Sequence, residues 1–144
     1  MNSWFISGLI LRGYSDMSSD SGKTVTSETL LNSGKAWNGQ GIENYPTGKP
    51  EITLMKMTIP AHSELPWHTH PIPNTAFVVS GSLTVEDKFT GETKTFNAGE
   101  AFNESIDIAH RGYTTNESTD LIIFYAGAEG MELSIPLPGE ESEY

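Results

Sequence analysis

Residues 66–86 read PWHTHPIPNTAFVVSGSLTVE. His68 and His70, two of the four histidines in the chain, stand two positions apart. They lead into Thr75–Val79, which is apolar and β-branched and ends at Ser80-Gly81; alternation resumes over Ser82–Val85. Side chains at i and i+2 of an extended strand share a face, so both imidazoles project together and can reach one ion. Neutral imidazole suits Zn, Cu, Fe and Ni. A His-x-His pair also arises in surface loops, and Pro66, Pro71 and Pro73 fit such a loop. The rest of the chain has to decide between the two readings.

On either side the sequence reads as short strands broken by turns. Glu51–Ile59 carries Ile52, Leu54, Met55, Met57 and Ile59. Lys88–Gly91 reads as a hairpin turn with Thr93–Phe96 as the return strand. Ala98-Gly99-Glu100 is a further turn, and Ala101–Ile108 is expected as one more strand. Leu121–Tyr125, LIIFY, reads as a buried strand, and Met131–Leu137 as the last. No segment keeps a helical period for three turns. The expected class is all-β, an antiparallel sandwich or barrel.

Composition agrees. The 144 residues suit one domain, and 14 Gly with 8 Pro favour many turns. A formal net charge of −11 repels phosphates and anionic lipid heads, so neither nucleic acid nor a membrane is an expected partner. The chain has no cysteine, which removes disulfides, thiolate metal sites and thiol nucleophiles. No apolar run approaches the ~20 residues of a membrane-spanning helix. Trp4–Leu11 is apolar but lacks the preceding positive charge of a secretory signal. It reads as an extra strand or an arm, with a cytoplasmic location expected and a periplasmic one the alternative if it is a degenerate signal. Ser15–Ser27 reads as a linker, and Lys35–Pro50 as turn-rich with Trp37 and Tyr45 as anchors. The expected division is an N-terminal arm over 1–34, one barrel domain over 35–137, and a solvated acidic tail over 138–144 carrying Glu140, Glu141 and Glu143.

One strand cannot complete a coordination shell. His62 reads as a surface turn residue, whereas His110 follows the Ala101–Ile108 segment and can turn inward beside the pair. On that segment Phe102, Glu104 and Ile106 share one face, which puts Glu104 on the apolar side. A buried, unpaired carboxylate costs several kcal/mol, and a shared cation would offset that cost. The alternatives are that Glu104 pairs with Arg111 or faces solvent, and that His110 is a hydrogen-bonded core histidine.

Taken together, PWHTH-PIP-N-TAFVVSG and AGEAFNESIDIAH resemble the cupin superfamily, in particular its small single-domain bacterial members. The resemblance covers roughly Ile52 to Tyr125. His68, His70 and Gly81 match the first cupin motif, but the expected glutamate is Asn74. Gly99 and His110 match the second motif; Ser105 and Asp107 replace its usual Pro and second Gly, and Thr114 stands where an Asn is expected. The resemblance implies an antiparallel jelly-roll barrel, the double-stranded β-helix. It also implies one divalent transition metal (Fe, Mn, Ni or Zn) held by His68, His70 and His110. Glu104, five residues after Gly99, is the expected carboxylate ligand and Asn74 its rival; without a metal bond Glu104 would be a general base. The implied function is a metal-dependent dioxygenase, isomerase or lyase acting on a small organic molecule, in a homodimer formed along an edge strand. The alternatives are a non-catalytic module that binds a small molecule or sugar, and a barrel that has lost its metal. The chain has no GxSxG, HExxH or glycine-rich phosphate loop.

Overall fold

A computed structural model describes residues 23–144. Trp4–Leu11 and most of the Ser15–Ser27 segment lie outside the described residues. Nine strands follow in order: β1 Pro50–Ile59, β2 His68–Thr69, β3 Asn74–Ser80, β4 Ser82–Asp87, β5 Thr93–Asn97, β6 Ala101–Asn103, β7 His110–Tyr113, β8 Thr119–Ala128 and β9 Ile135–Pro136. No helix occurs among the described residues. Two antiparallel sheets form, one ordered β1-β8-β3-β6 and the other β5-β4-β7-β2-β9. This is the all-β jelly roll expected from the sequence.

Period-two alternation fills the space between the sheets. On β3 the buried residues are Asn74, Ala76 and Val78; on β8 they include Leu121, Ile123 and Tyr125; on β4 they are Leu83, Val85 and Asp87. The core adds Ile59, Ile72, Phe96 and Phe102, the last two stacked with ring centroids 4.1 Å apart. Burying each large aliphatic side chain contributes about 1.5–3 kcal/mol. Among the other aromatics, Trp67, Phe77 and Tyr113 are half-buried, and Phe124 faces outward. The fully buried aromatic is its neighbour Tyr125.

The turn between β3 and β4 requires Gly81. Its φ is +78°, and a Cβ there would lie 2.3 Å from the Ser118 carbonyl oxygen. Beside it Thr119 Oγ1 donates to the Ser82 carbonyl and accepts from the Ser82 amide, fastening the turn to β8.

Two expected strands are shorter in the structure. The segment Ala101–Ile108 leaves the sheet after Asn103 and passes through a turn in which Asp107 has φ +59°. His110 therefore opens β7 instead of closing β6. Of Met131–Leu137, only Ile135–Pro136 pairs as strand, alongside β2. The 138–144 tail is not wholly solvated. Glu140 and Glu141 are exposed, but the Glu143 side chain is only 7% exposed and points back at the histidines.

Candidate metal centre

β2 is only two residues long because Pro66, Pro71 and Pro73 withhold amide donors on either side. His68 lies in the strand and His70 just past it, and both are buried. His68 faces His110 directly across the β2–β7 pair. The three rings gather with centroids 4.6, 4.8 and 5.0 Å apart.

Each ring is oriented through its Nδ1. His68 Nδ1 donates to the Pro66 carbonyl at 2.8 Å, His70 Nδ1 to Leu133 at 2.7 Å and His110 Nδ1 to Ile108 at 2.7 Å. Ser105 Oγ also lies 3.2 Å from His110 Nδ1. A carbonyl oxygen only accepts, so Nδ1 carries the proton in all three rings. In the neutral form Nε2 is then left with its lone pair facing the common centre.

Glu104 completes the group. β3 and β6 pair Thr75 with Asn103, Ala76 with Phe102 and Phe77 with Ala101. The next rung sets Glu104 opposite Asn74, and the Glu104 amide donates to the Asn74 carbonyl at 3.1 Å. Asn74 is buried inside the barrel, and directly opposite residues share a face. Glu104 thus enters the barrel interior from the segment that faces Asn74. Its Oε1 lies 3.2 Å from His110 Nε2 and its Oε2 3.4 Å from His70 Nε2. Arg111 is not its partner: that guanidinium pairs with Glu86 at 3.0 Å and Glu64 at 3.3 Å. His62 is exposed, as expected.

One donor atom from each of His68, His70, Glu104 and His110 lies within 4.8 Å of the others, so the group could hold a metal ion. The fit is tested by atoms left without partners. His68 Nε2 and His70 Nε2 are buried and have no hydrogen-bond partner among the described residues. Such atoms are costly unless something else occupies the centre. Donors bonded to one ion at about 2.1 Å sit roughly 3.0–3.4 Å apart when adjacent. The Glu104 separations match that spacing and exceed the ~2.7–2.9 Å of a charge-assisted hydrogen bond. Asn74 Oδ1 is likewise buried without a partner, while its amide donates to Ile72 at 3.3 Å.

Electrostatics reflect this crowding. Burial, together with the neighbouring His110 and His70, lowers His68 to about 4. Burial also pulls His70 down, but the neighbouring Glu104 charge outweighs it and raises the ring to about 9. Burial pushes Glu104 upward, yet His70 and His110 together hold it well below the usual carboxylate range. Without a metal, His70 is protonated and Glu104 ionised; a divalent ion would replace that proton.

Sequence reasoning missed two groups. Tyr125 stands 5.9 Å from His70 between ring centroids and pairs with Asn74 across β3–β8. Burial and Glu104 raise its phenol above the usual range. Glu143 Oε2 lies 3.3 Å from His68 Nε2. The run of apolar residues in LIIFY could have flagged Tyr125, but nothing local marks Glu143.

No family model and no curated protein matches this chain. Solved structures do match. The polyketide cyclase RemF from Streptomyces resistomycificus has a TM-score of 0.53 at 15% identity, over 62% of each chain. The DMSP lyase DddQ from Ruegeria pomeroyi has a TM-score of 0.52 at 16% identity, over 66% of this chain and 47% of that one. An RmlC-like cupin from Shewanella frigidimarina superposes at 0.47 and 22% identity, over 56% of this chain and 69% of that one. The fold is the cupin double-stranded β-helix. This chain spans less than two thirds of the cyclase and of the lyase. His68, His70 and His110, the nitrogen ligands that the resemblance implied, come together with Glu104 in one group that could hold a metal ion.

Proposed function

We propose that this cupin is a metal-dependent enzyme acting on a small organic molecule inside the barrel, in the dioxygenase, isomerase or lyase class. The observation that carries it is the convergence of three Nε2 lone pairs, each fixed by an Nδ1–carbonyl bond, on a site that Glu104 also faces. His68, His70, His110 and Glu104 would hold one divalent ion of Fe, Mn, Ni or Zn. Such an ion supplies Lewis-acid polarisation of a substrate oxygen or, if redox-active, oxygen chemistry. The protein's share is to fix the donors, exclude water with the apolar wall of Phe102, Leu121 and Ile123, and keep Glu104 ionised. That two solved structures with this fold are a cyclase and a lyase is consistent with small-molecule chemistry. A binding module is the second reading, favoured by the second carboxylate, Glu143, which tends to close the shell.

Elemental analysis tests the metal. Purified wild type should carry about one transition metal per chain, and His70→Ala and Glu104→Ala should lose it. Wild type that stays metal-free after exposure to all four metals would sink the proposal. Metal-loaded protein should then turn over a small-molecule panel scored for oxygen uptake, isomerisation and elimination; metal binding with no turnover would favour the binding module.

We also propose a homodimer. β1 is an edge strand, and Leu54, 70% exposed, sits beside Phe124, 42% exposed, across the β1–β8 register. An exposed apolar patch on a long edge strand favours pairing with a second copy. Light scattering should give twice the 15.7 kDa chain mass, and the chain mass itself would contradict the dimer.

A further inference from the structure

The geometry points to Glu143 as a further donor to the metal centre, carried on a strap, residues 137–144, that must lift to admit substrate. This inference rests on the metal reading above. The Glu143 Oε2 to His68 Nε2 separation of 3.3 Å falls between the two that Glu104 makes with His110 and His70, 3.2 and 3.4 Å. All three fall in the range of adjacent donors on one ion, with Glu143 approaching the group from the His68 side. His68 Nε2 has no hydrogen-bond partner, and a cation shared with Glu143 would offset the cost of burying its carboxylate beside Glu104. Two carboxylates and three neutral imidazoles around a divalent ion leave no net charge.

The strap is held in place at several points. Ser134 Oγ donates to Glu143 Oε1 at 3.1 Å, which leaves Oε2 for the centre. The Tyr144 hydroxyl lies 2.8 Å from that of Tyr125. The Trp67 amide donates to Glu140 Oε1 at 3.0 Å, and the Leu137 amide donates to the Trp67 carbonyl at 3.1 Å. With the strap down, the cavity lined by His68, Glu104, Phe102 and Glu143 measures only ≈ 10 Å³. That is room for about one water. A substrate larger than water therefore needs part of this lining to move, and Glu143, the lining residue nearest the chain's last residue, is the group assigned to that movement. The group best able to replace a carboxylate without changing the charge of the centre is another oxygen anion, so the substrate class is a small carboxylic acid or an enolisable acid that binds through oxygen.

The test uses the full chain loaded with Co(II), read by its visible spectrum, with acetate as the anion probe. Glu143→Gln should change the cobalt spectrum, weaken cobalt binding by about tenfold in chelator competition, and bind acetate about tenfold more tightly than wild type. Tyr144→Phe loosens the strap without altering a donor. It should leave the acetate-free spectrum as in wild type while tightening acetate binding. Wild type that binds no cobalt defeats the metal reading and this inference together. One-to-one cobalt binding with the same spectrum and acetate affinity in wild type and Glu143→Gln leaves the metal reading standing and overturns the strap.

Discussion

The two ends of the barrel interior are built from the same strands and differ in everything else. Stepping by two along the inward face, β3 runs from Val78 through Ala76 to Asn74, and β8 from Leu121 through Ile123 to Tyr125. β4 likewise runs from Leu83 through Val85 to Asp87, whose cross-strand partner on β7 is His110. At one end the rungs pair hydrocarbon with hydrocarbon, as in Val78 with Leu121 and Leu83 with Phe96. At the other they pair Asn74 with Tyr125 and His68 with His110. A shift of two rungs separates the part of the core that holds the fold from the part that holds polar chemistry. Continuous hydrocarbon at the first end lets the second carry unpaired nitrogen atoms without unfolding the barrel.

That division can be broken by mutation. The largest effect is expected from His110→Ala, which should weaken metal binding by more than about 100-fold in chelator competition while the chelated protein keeps most of its stability. Leu121→Ala should do the reverse. Removing a buried leucine costs about 2–5 kcal/mol in denaturant unfolding, and metal affinity should stay within a factor of a few. If Leu121→Ala also empties the site, the two ends are not separable. Gly81→Ala leaves the interior side chains in place but strains the turn that joins β3 to β4 beyond the hydrocarbon end. A positive φ and the Ser118 carbonyl oppose the new methyl, for a loss of at least roughly 1–3 kcal/mol.

Acidity sharpens the contrast further. His70 is raised above its ordinary value, so its stabilisation of the metal-free protein is complete below pH 6.5 and is lost as pH rises through about 9. Thermal melts of chelated protein should fall between those limits, and melts of metal-loaded protein should not, because a ligated imidazole has no proton to lose. Equal slopes for the two forms would show that His70 is not a ligand. The smallest effect is expected for Ser105→Ala. The Ile108 carbonyl still accepts from His110 Nδ1 there, so metal affinity should drop by no more than about tenfold in the same competition assay.

Much of this was legible in the chain itself. Two-residue spacing placed His68 and His70 on one side, and Phe102 and Glu104 on one face, because side-chain direction along an extended backbone is a local property. The motif spacing from Gly99 reached His110 across a break in the sheet that alternation alone had run through. The turn after Asn103 stayed hidden because Asp107 adopts a left-handed conformation that no strand pattern announces. Glu143 was hidden for a different reason. An acidic run at a polar stretch reads as solvated, and only a docked chain held by Ser134, Tyr125 and Trp67 brings one of its carboxylates inside. The Nδ1–carbonyl bonds join His70 to Leu133 over sixty-three positions, a distance that no local pattern covers.

Trp67 ties these regions together. Its ring lies under the Arg111 guanidinium at 4.3 Å and the Lys88 ammonium at 4.7 Å, its backbone holds the strap at both amide and carbonyl, and His68 is the next residue. Indole emission depends on nearby charge and on access of water. Of the chain's three tryptophans, Trp67 is thus a fluorophore beside the strap, and with Trp4 and Trp37 replaced by Phe its emission would follow displacement of that segment without a label.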